Sequence, residues 1–300
     1  MPDVKLGMVS IVIRTYNEER HLPELLGGIA NQNISGIDIE TVIVDSGSTD
    51  STLSIAEENN CRIINIKKTE FTFGRSLNMG CGFSRGEYLA FISGHCIPIE
   101  NDWLQCLLDP LREKKVQYAY GRHVGRDETK FSETRAFEKY FPKESSIPQE
   151  GFFCNNANAA ILRSTWEKMP FDEDLTGLED MHLAQRLVEQ GGKVAYVAEA
   201  AAYHIHDESW EKVRLRFERE AIALQKIMPE IHLNLLDSFR YFTHGVWHDV
   251  VAAQKEGLLR SSMIEILMFR LMQYWGSYKG NHDHRLLSKQ NKEKYFYPNN

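Results

Sequence analysis

Four short runs rich in β-branched and aromatic residues, at positions 9–13, 40–44, 62–66 and 88–92, alternate with stretches of helical periodicity. This alternation is the strongest constraint on the fold. Strands separated by helices of 10–15 residues form βαβ units, and such units build a mostly parallel sheet. Leu22, Leu25, Leu26 and Ile29 give the first intervening helix one apolar face. Three of the runs end in polar turns: Arg14-Thr-Tyr-Asn-Glu-Glu19, Asp45-Ser-Gly-Ser-Thr-Asp50 and Ser93-Gly-His95. Ligands of open α/β sheets sit beyond the carboxyl ends of the strands, so these turns mark the expected site.

Composition narrows the classes. With 42% hydrophobic and 26% charged residues, the 300-residue chain has ordinary globular usage. Lys and Arg total 35 against 42 Asp and Glu, a net charge of −7 that disfavours nucleic acid as a partner. No GxGxxG follows a strand and no GxxxxGK[ST] occurs, which disfavours dinucleotide oxidoreductases and P-loop enzymes. The cysteines at 61, 81, 96, 106 and 154 include no CxxC pair, and residues 1–7 show no basic-then-apolar leader. Reduced thiols and a cytoplasmic location are therefore expected. No apolar run reaches the length of a membrane span, so any membrane contact is expected to be peripheral, at the inner face of the cytoplasmic membrane.

Beyond Lys130 the pattern changes. Residues 142–151 read as a loop. Thr176-Gly-Leu-Glu179 reads as a capping box opening a helix that Gly191-Gly192 closes. Residues 194–197 and 202–206 read as two short strands. Helical spacing then takes over at Trp210, Val213, Phe217, Ala221 and Leu224, and again over 235–251 and 258–275. The expected division is a domain at 8–207 and a helical region at 208–300. The tail mixes Phe239, Phe242, Trp247, Met263, Met268, Trp275 and Tyr278 with Arg240, Lys255, Arg260, Arg270, Lys279 and Arg285. Two readings stand: helices packing on the first domain or in a homodimer, and helices lying on an anionic membrane. His282-Asp-His284 is expected to be solvated.

Several residues carry chemistry. Asp45, at a strand end before small residues, suits a hydrogen bond from a base or ribose, although such a turn also serves simply to start a helix. Arg75 is a donor fork suited to phosphate, or to a surface ion pair. The amides of Asn155-Asn-Ala-Asn158 suit sugar hydroxyls and equally suit a turn. Asp180 follows Glu179 at a helix N-terminus, where backbone N–H groups and the dipole would hold it ionised, although a second capping acid reads the same way.

In order and spacing, the stretches at 9–18 and 42–52, Phe73-Gly-Arg-Ser-Leu-Asn-Met-Gly80, Gly86-Glu-Tyr-Leu-Ala-Phe-Ile92, residues 155–163 and Gly177-Leu-Glu-Asp180 resemble the family 2 glycosyltransferases. These are inverting enzymes of the GT-A fold, an α/β architecture with a Rossmann-like central sheet, and the chain looks most like the bacterial rhamnosyltransferase-like branch. The resemblance covers about two thirds of the chain, residues 9–206. It implies a nucleotide-sugar donor and a glycan or lipid-linked acceptor in bacterial surface polysaccharide synthesis. Thr15, Tyr16, Glu18, Asp45, Arg75 and Asn78 would bind the nucleotide. Asp180 would be the base, and Asn155, Asn156 and Glu179 would approach the donor sugar and acceptor.

One departure stands out. The family places Asp-x-Asp after the strand at 88–92, to hold a divalent metal on the diphosphate; this chain has Ser93-Gly94-His95. Either His95, with His204 or His206, binds Mn²⁺ or Mg²⁺, or Ser93 and the same histidines, with Arg75 and more weakly Arg122, stabilise the leaving diphosphate as donors. Two rivals follow: a non-catalytic nucleotide-sugar-binding protein that has lost Asp-x-Asp, and a sugar nucleotidyltransferase. The second usually needs a Gly-rich N-terminal loop, and Arg14-Thr-Tyr-Asn17 has no glycine.

Overall fold

A computed structural model describes residues 4–282 and 294–296, so Asp283, His284 and Arg285 lie outside the described residues. The chain divides into two compact units. One takes the chain up to Val124 with Phe141–Asp174 and Glu179–Ile205; the other takes Gly125–Tyr140, Leu175–Leu178 and the chain from His206.

The first unit is built on one eight-stranded sheet. Its strands are β1 (Lys5–Thr15), β2 (Asp38–Asp45), β3 (Arg62–Asn65), β4 (Gly86–Ser93), β5 (Cys96–Pro98), β6 (Tyr118–Val124), β7 (Asn158–Leu162) and β8 (Val194–His204). Their order across the sheet is β3-β2-β1-β4-β7-β6-β8-β5. Only β7 and β5 run against the other six, so the sheet is mostly parallel. The helices of this unit are α1 (Leu22–Ala30), α2 (Thr52–Glu58), α3 (Phe73–Phe83), α4 (Trp103–Arg112), α6 (Arg163–Lys168) and α7 (Glu179–Glu189).

Strand periodicity distributes the core to both faces of the sheet. Val9, Ile11 and Ile13 join Leu22, Leu25 and Leu26 of α1 and Trp103, Leu104 and Leu107 of α4 in one buried cluster. On the other face, Val12 and Val44 meet α3 at Gly80. A Cβ there would lie 2.4 Å from Val12 Cγ1, so only glycine lets helix and sheet approach this closely. Trp166 and Phe171 are buried, as expected of core residues.

Two local expectations need correction. The runs at 194–197 and 202–206 are one strand, β8, which ends at His204. Ala198-Glu-Ala-Ala-Ala202 favours helix by intrinsic propensity, but pairing with β6 overrides it, with a register shift between Gly121 and His123. The capping box at Thr176 does not form. Helix α7 begins at Glu179, and the Thr176 hydroxyl donates instead to the Arg219 carbonyl at 2.9 Å.

The second unit consists of α5 (Phe131–Tyr140), α8 (Trp210–Ile227), α9 (Leu235–Lys255) and α10 (Leu259–Asn281). Ser209 caps α8 and Asn234 caps α9 through their side-chain oxygens. Phe217 of α8 meets Phe269 of α10 edge-on, with ring centroids 6.0 Å apart. Tyr241 of α9 stacks on Tyr274 of α10. Asp249 and Arg270 form a buried bidentate ion pair at 2.7 and 2.9 Å, and Ser132 of α5 donates to the same carboxylate at 2.6 Å. No described helix is long and apolar enough to cross a membrane.

Candidate functional site

Strand pairing, parallel for β1–β2 and β1–β4 and antiparallel for β4–β7 and β5–β8, brings the polar strand ends onto one edge of the sheet. Thr15 lies opposite Asp45, Arg14 opposite Ser93, Ile92 opposite Asn158, and His204 opposite Cys96. The residues singled out from sequence at 15–18, 45, 93–95, 155–156 and 204 thus share one edge. A cleft of about 500 Å³ lined by Glu87, Tyr88, Arg112, Gln117, Arg163 and Glu167 includes none of them.

The first group is the β1–β2 edge. Asp45 is fully buried and accepts from Gly47 N and Ser48 N at 2.9 Å each, and from the Thr15 and Ser48 hydroxyls. Its oxygens are thereby committed to shaping the Ser46–Ser48 turn. Asn17 adopts a left-handed backbone (φ 56°), which Asn tolerates, and accepts from Thr49 N at 2.8 Å. The two turns are locked together. Tyr16 accepts from Lys68 Nζ, which also lies 5.2 Å from its ring centroid.

The second group contains imidazoles. His95 Nδ1 is 3.0 Å from Glu18 Oε1. The His95 ring stacks on His204, with centroids 5.3 Å apart, and His204 Nδ1 lies 2.8 Å from His123 Nδ1. His123, on β6 beside the half-buried Arg122, was not legible as a site residue, because a lone His in an apolar strand usually reads as core. Gly94 permits this arrangement: a Cβ there would come within 2.8 Å of Glu18 Cγ.

The third group surrounds Asp180. The residue is 8% exposed, and its carboxylate accepts from Asn156 N and Met181 N at 2.7 Å each. Asn156 Oδ1 accepts from the buried Tyr118 hydroxyl, and Asn155 Oδ1 turns back to Ala157 N. Leu178, just before this helix, holds a strained left-handed conformation (φ 56°), of the kind that clusters at functional sites. The backbone N–H groups do hold Asp180, as expected at a helix N-terminus, but they do not keep its pKa low. Burial, reinforced by the Glu179 carboxylate, raises it to about 7. Glu179 is itself buried and paired with Arg14 at 3.1 Å. Arg14 was missed as a functional candidate; its signal was its place at the end of β1, within the turn already singled out.

The Arg14 guanidinium, after the two backbone N–H groups, also pulls the Asp180 pKa down. Replacing Arg14 by Met should therefore move the acid limb of the activity profile upward in pH. An unmoved limb would show that Arg14 does not act on Asp180.

Two expected nucleotide contacts fare differently. Asn78 spends its whole amide inside the protein: Nδ2 donates to Phe171 O and Glu173 Oε1, and Oδ1 accepts from Trp166 Nε1 and Phe171 N. An amide has two donors and two acceptor sites, so Asn78 pins α3 to the 166–173 segment rather than flanking a ligand. Arg75 pairs with Glu173 at 2.8 Å and donates to Glu70 O, the surface ion pair that was its alternative reading. Cys96 and Cys154 are buried, and burial raises both thiols, which fits inert packing.

His206 lies beyond the end of β8 and belongs to the second unit, so strand alternation does not reach it. Its Nδ1 is 2.7 Å from Glu133 Oε1, and Arg216 also binds Glu133 and Glu208. Burial opposes ionisation of Glu133, but His206 and Arg216 outweigh it and bring the pKa down to about 2.

Comparison with known proteins matches residues 10–169 to the family described as "Glycosyl transferase family 2". The O-antigen chain rhamnosyltransferase RfbN of Salmonella typhimurium is 26% identical over 211 residues, covering 66% of this chain and 67% of that protein. WbaN of Salmonella anatum, an enzyme of the same description, is 28% identical over 179 residues, covering 56% and 57%. Among solved structures, the mannosyltransferase PcManGT of Pyrobaculum calidifontis, in complex with GDP-Man and Mn²⁺, superposes with a TM-score of 0.60 over 97% of this chain and 88% of that one, at 17% identity. At that identity the likeness bears on the fold alone.

Proposed function

The chain belongs to glycosyltransferase family 2, in its rhamnosyltransferase-like branch, and from that premise we propose that it is an inverting enzyme acting in bacterial surface polysaccharide synthesis. It moves a sugar from a nucleotide-sugar donor to a hydroxyl of a glycan or lipid-linked acceptor, in the cytoplasm. The observation that carries this reading is Asp180. A general base works best with a pKa near the working pH, and this carboxylate is fixed by two backbone N–H groups with its pKa raised to about 7. As the acceptor oxygen attacks the anomeric carbon, Asp180 takes its proton, the bond from that carbon to the diphosphate breaks, and the nucleoside diphosphate departs.

The remaining residues position. Asp45 shapes the turn that receives the nucleotide, with Thr15, Tyr16 and Glu18 beside it. Asn155 and Asn156 shape the loop facing the sugar, and the Arg14–Glu179 pair steadies the start of α7. The catalytic region is taken as residues 8–207, of which Gly125–Tyr140, Leu175–Leu178 and the last two residues belong to the compact unit of the helical region.

Members of this fold class bind a divalent metal, so the donor set must be tested for one. Ser93 supplies no carboxylate, and Glu18 is engaged with His95. Two imidazoles beside one carboxylate fit a first-row transition ion better than Mg²⁺, which takes oxygen ligands. His95 and His204 would hold such an ion, and it would offset the charge of the departing diphosphate. Without it, His95, oriented by Glu18, donates to that diphosphate.

Calorimetry with UDP, GDP, CDP and dTDP, each with Mn²⁺, Mg²⁺ or EDTA, tests the reading. One nucleotide is expected to bind well above the rest, and Asp45→Ala should weaken it by about tenfold, the effect of losing roughly one charge-assisted hydrogen-bond set in the turn. Absence of binding by every nucleotide under every condition would remove the transferase reading. Binding without turnover on any sugar acceptor would favour the non-catalytic binder.

A further inference from the structure

Of fifteen large apolar side chains exposed among the described residues, eleven fall between Ile231 and Trp275. They are not scattered. On α10, Ile264, Leu267, Leu271 and Trp275 recur at helical spacing and form one outward stripe, 41–76% exposed. The opposite side of the same helix is already used: Phe269 packs on Phe217 of α8. Helix α10 is therefore apolar on both sides, a pattern that belongs to helices covered all round. On α9, Leu236, Phe239 and Trp247 are 66–79% exposed, while Tyr241 and Asp249 engage α10.

The charge on these helices selects what covers them. Arg240, Lys255 and Arg260 are exposed, and Lys279, 43% exposed, also lies 3.7 Å from the buried Glu218 carboxylate. Apart from the half-buried Asp237 at the start of α9, the acids are turned inward or paired. Asp249 is buried on Arg270, Glu256 pairs with Arg135, and Glu265, the one acid in α10, is half-buried. A second copy seated on the α10 stripe would set cation against cation: antiparallel pairing brings Arg260 toward Lys279, and parallel pairing brings Arg260 toward Arg260. An anionic bilayer offers apolar depth to the stripe, negative charge to the rim, and an interface suited to Trp247 and Trp275. None of these helices is apolar enough to cross a membrane, so they would lie on it.

We propose that α9 and α10 form a peripheral docking surface for an anionic lipid bilayer. The bilayer takes the exposed side chains of both helices into its headgroup region.

Flotation of the full-length protein with vesicles tests this, one set of phosphatidylcholine alone and one with a third phosphatidylglycerol. Recovery with the anionic vesicles should exceed recovery with the neutral ones by on the order of tenfold, and should fall with added salt. Two variants should each lose it: Trp247→Ser with Leu271→Ser, which removes apolar depth, and Arg240→Glu with Arg260→Glu, which reverses the rim. All these positions are solvent-exposed, so an unchanged melting temperature controls for folding. Equal recovery with both vesicle types, or full retention in the variants, would overturn the proposal. So would a dimer in sedimentation velocity that Trp247→Ser with Leu271→Ser dissociates, since a second copy would then be the occupant. The assay reads no turnover, so its failure leaves the proposed sugar transfer untouched.

Discussion

Asp180→Asn is expected to slow sugar transfer by about three orders of magnitude, within the range that general bases contribute, while nucleoside diphosphate affinity stays within about twofold. The substitution keeps the shape of the side chain and removes its ability to take a proton. The turn at Asp45–Ser48, the proposed nucleotide contact, makes its hydrogen bonds without Asp180. Turnover that survives Asp180→Asn would place the base elsewhere. The pH dependence gives a second signature. Asp180 must be ionised to act, so kcat/KM should rise with pH to an inflection near 7. Stability runs the other way. A carboxyl whose pKa climbs from 3.8 when unfolded to about 7 when folded binds its proton more tightly in the folded state. Its contribution is fully present below about pH 4 and is lost as pH rises through 7. The Asn variant lacks this slope, so its melting temperature should gain on the parent's between pH 5 and pH 8. Parallel melting curves would show that Asp180 titrates normally.

The largest loss of stability is expected from Asp249→Ala, about 3–5 kcal/mol, or roughly 10 °C in melting temperature. The substitution strands Arg270, 9% exposed, without its bidentate partner and leaves the Ser132 hydroxyl without its acceptor. The cost comes mainly from an uncompensated buried charge rather than from the pair's own attraction. The double variant Asp249→Leu with Arg270→Met should therefore be milder than Asp249→Ala alone. A loss below about 1 kcal/mol in the single variant would show that Arg270 finds water.

The sheet was legible because its first four strands are dense β-branched runs bounded by Gly- and Asp-bearing turns, a local signal. β6 and the middle of β8 were not. Tyr118-Ala-Tyr-Gly-Arg-His-Val124 and Ala198-Glu-Ala-Ala-Ala202 become strand only by pairing with neighbours distant in sequence. Motif position singles out Asp180, Asp45 and His95 as candidates, but not their environments. The Asp180 pKa depends on burial, and the roles of Arg14, His123 and Glu173 depend on partners 165, 81 and 98 residues away. Asn78 shows the converse: a residue placed correctly within a motif whose amide is wholly consumed by the fold.

Helix α5 enters the second unit long before its partners exist. Ser132 and Glu133 leave the ribosome well ahead of Arg216, and 138 residues ahead of Arg270. At roughly 5–20 residues per second, those 138 residues take about seven to twenty-eight seconds. Until Arg216 emerges, the Glu133 carboxylate lacks the guanidinium it pairs with in the fold. The parallel strands β1 to β4 and their helices are made earlier and find their partners among residues already synthesised. Strands β1 to β4 thus pair while α5 still waits for its partners, whereas β7, α7 and β8 of the first unit are made only after α5, so translation interleaves the two units rather than completing one before the other.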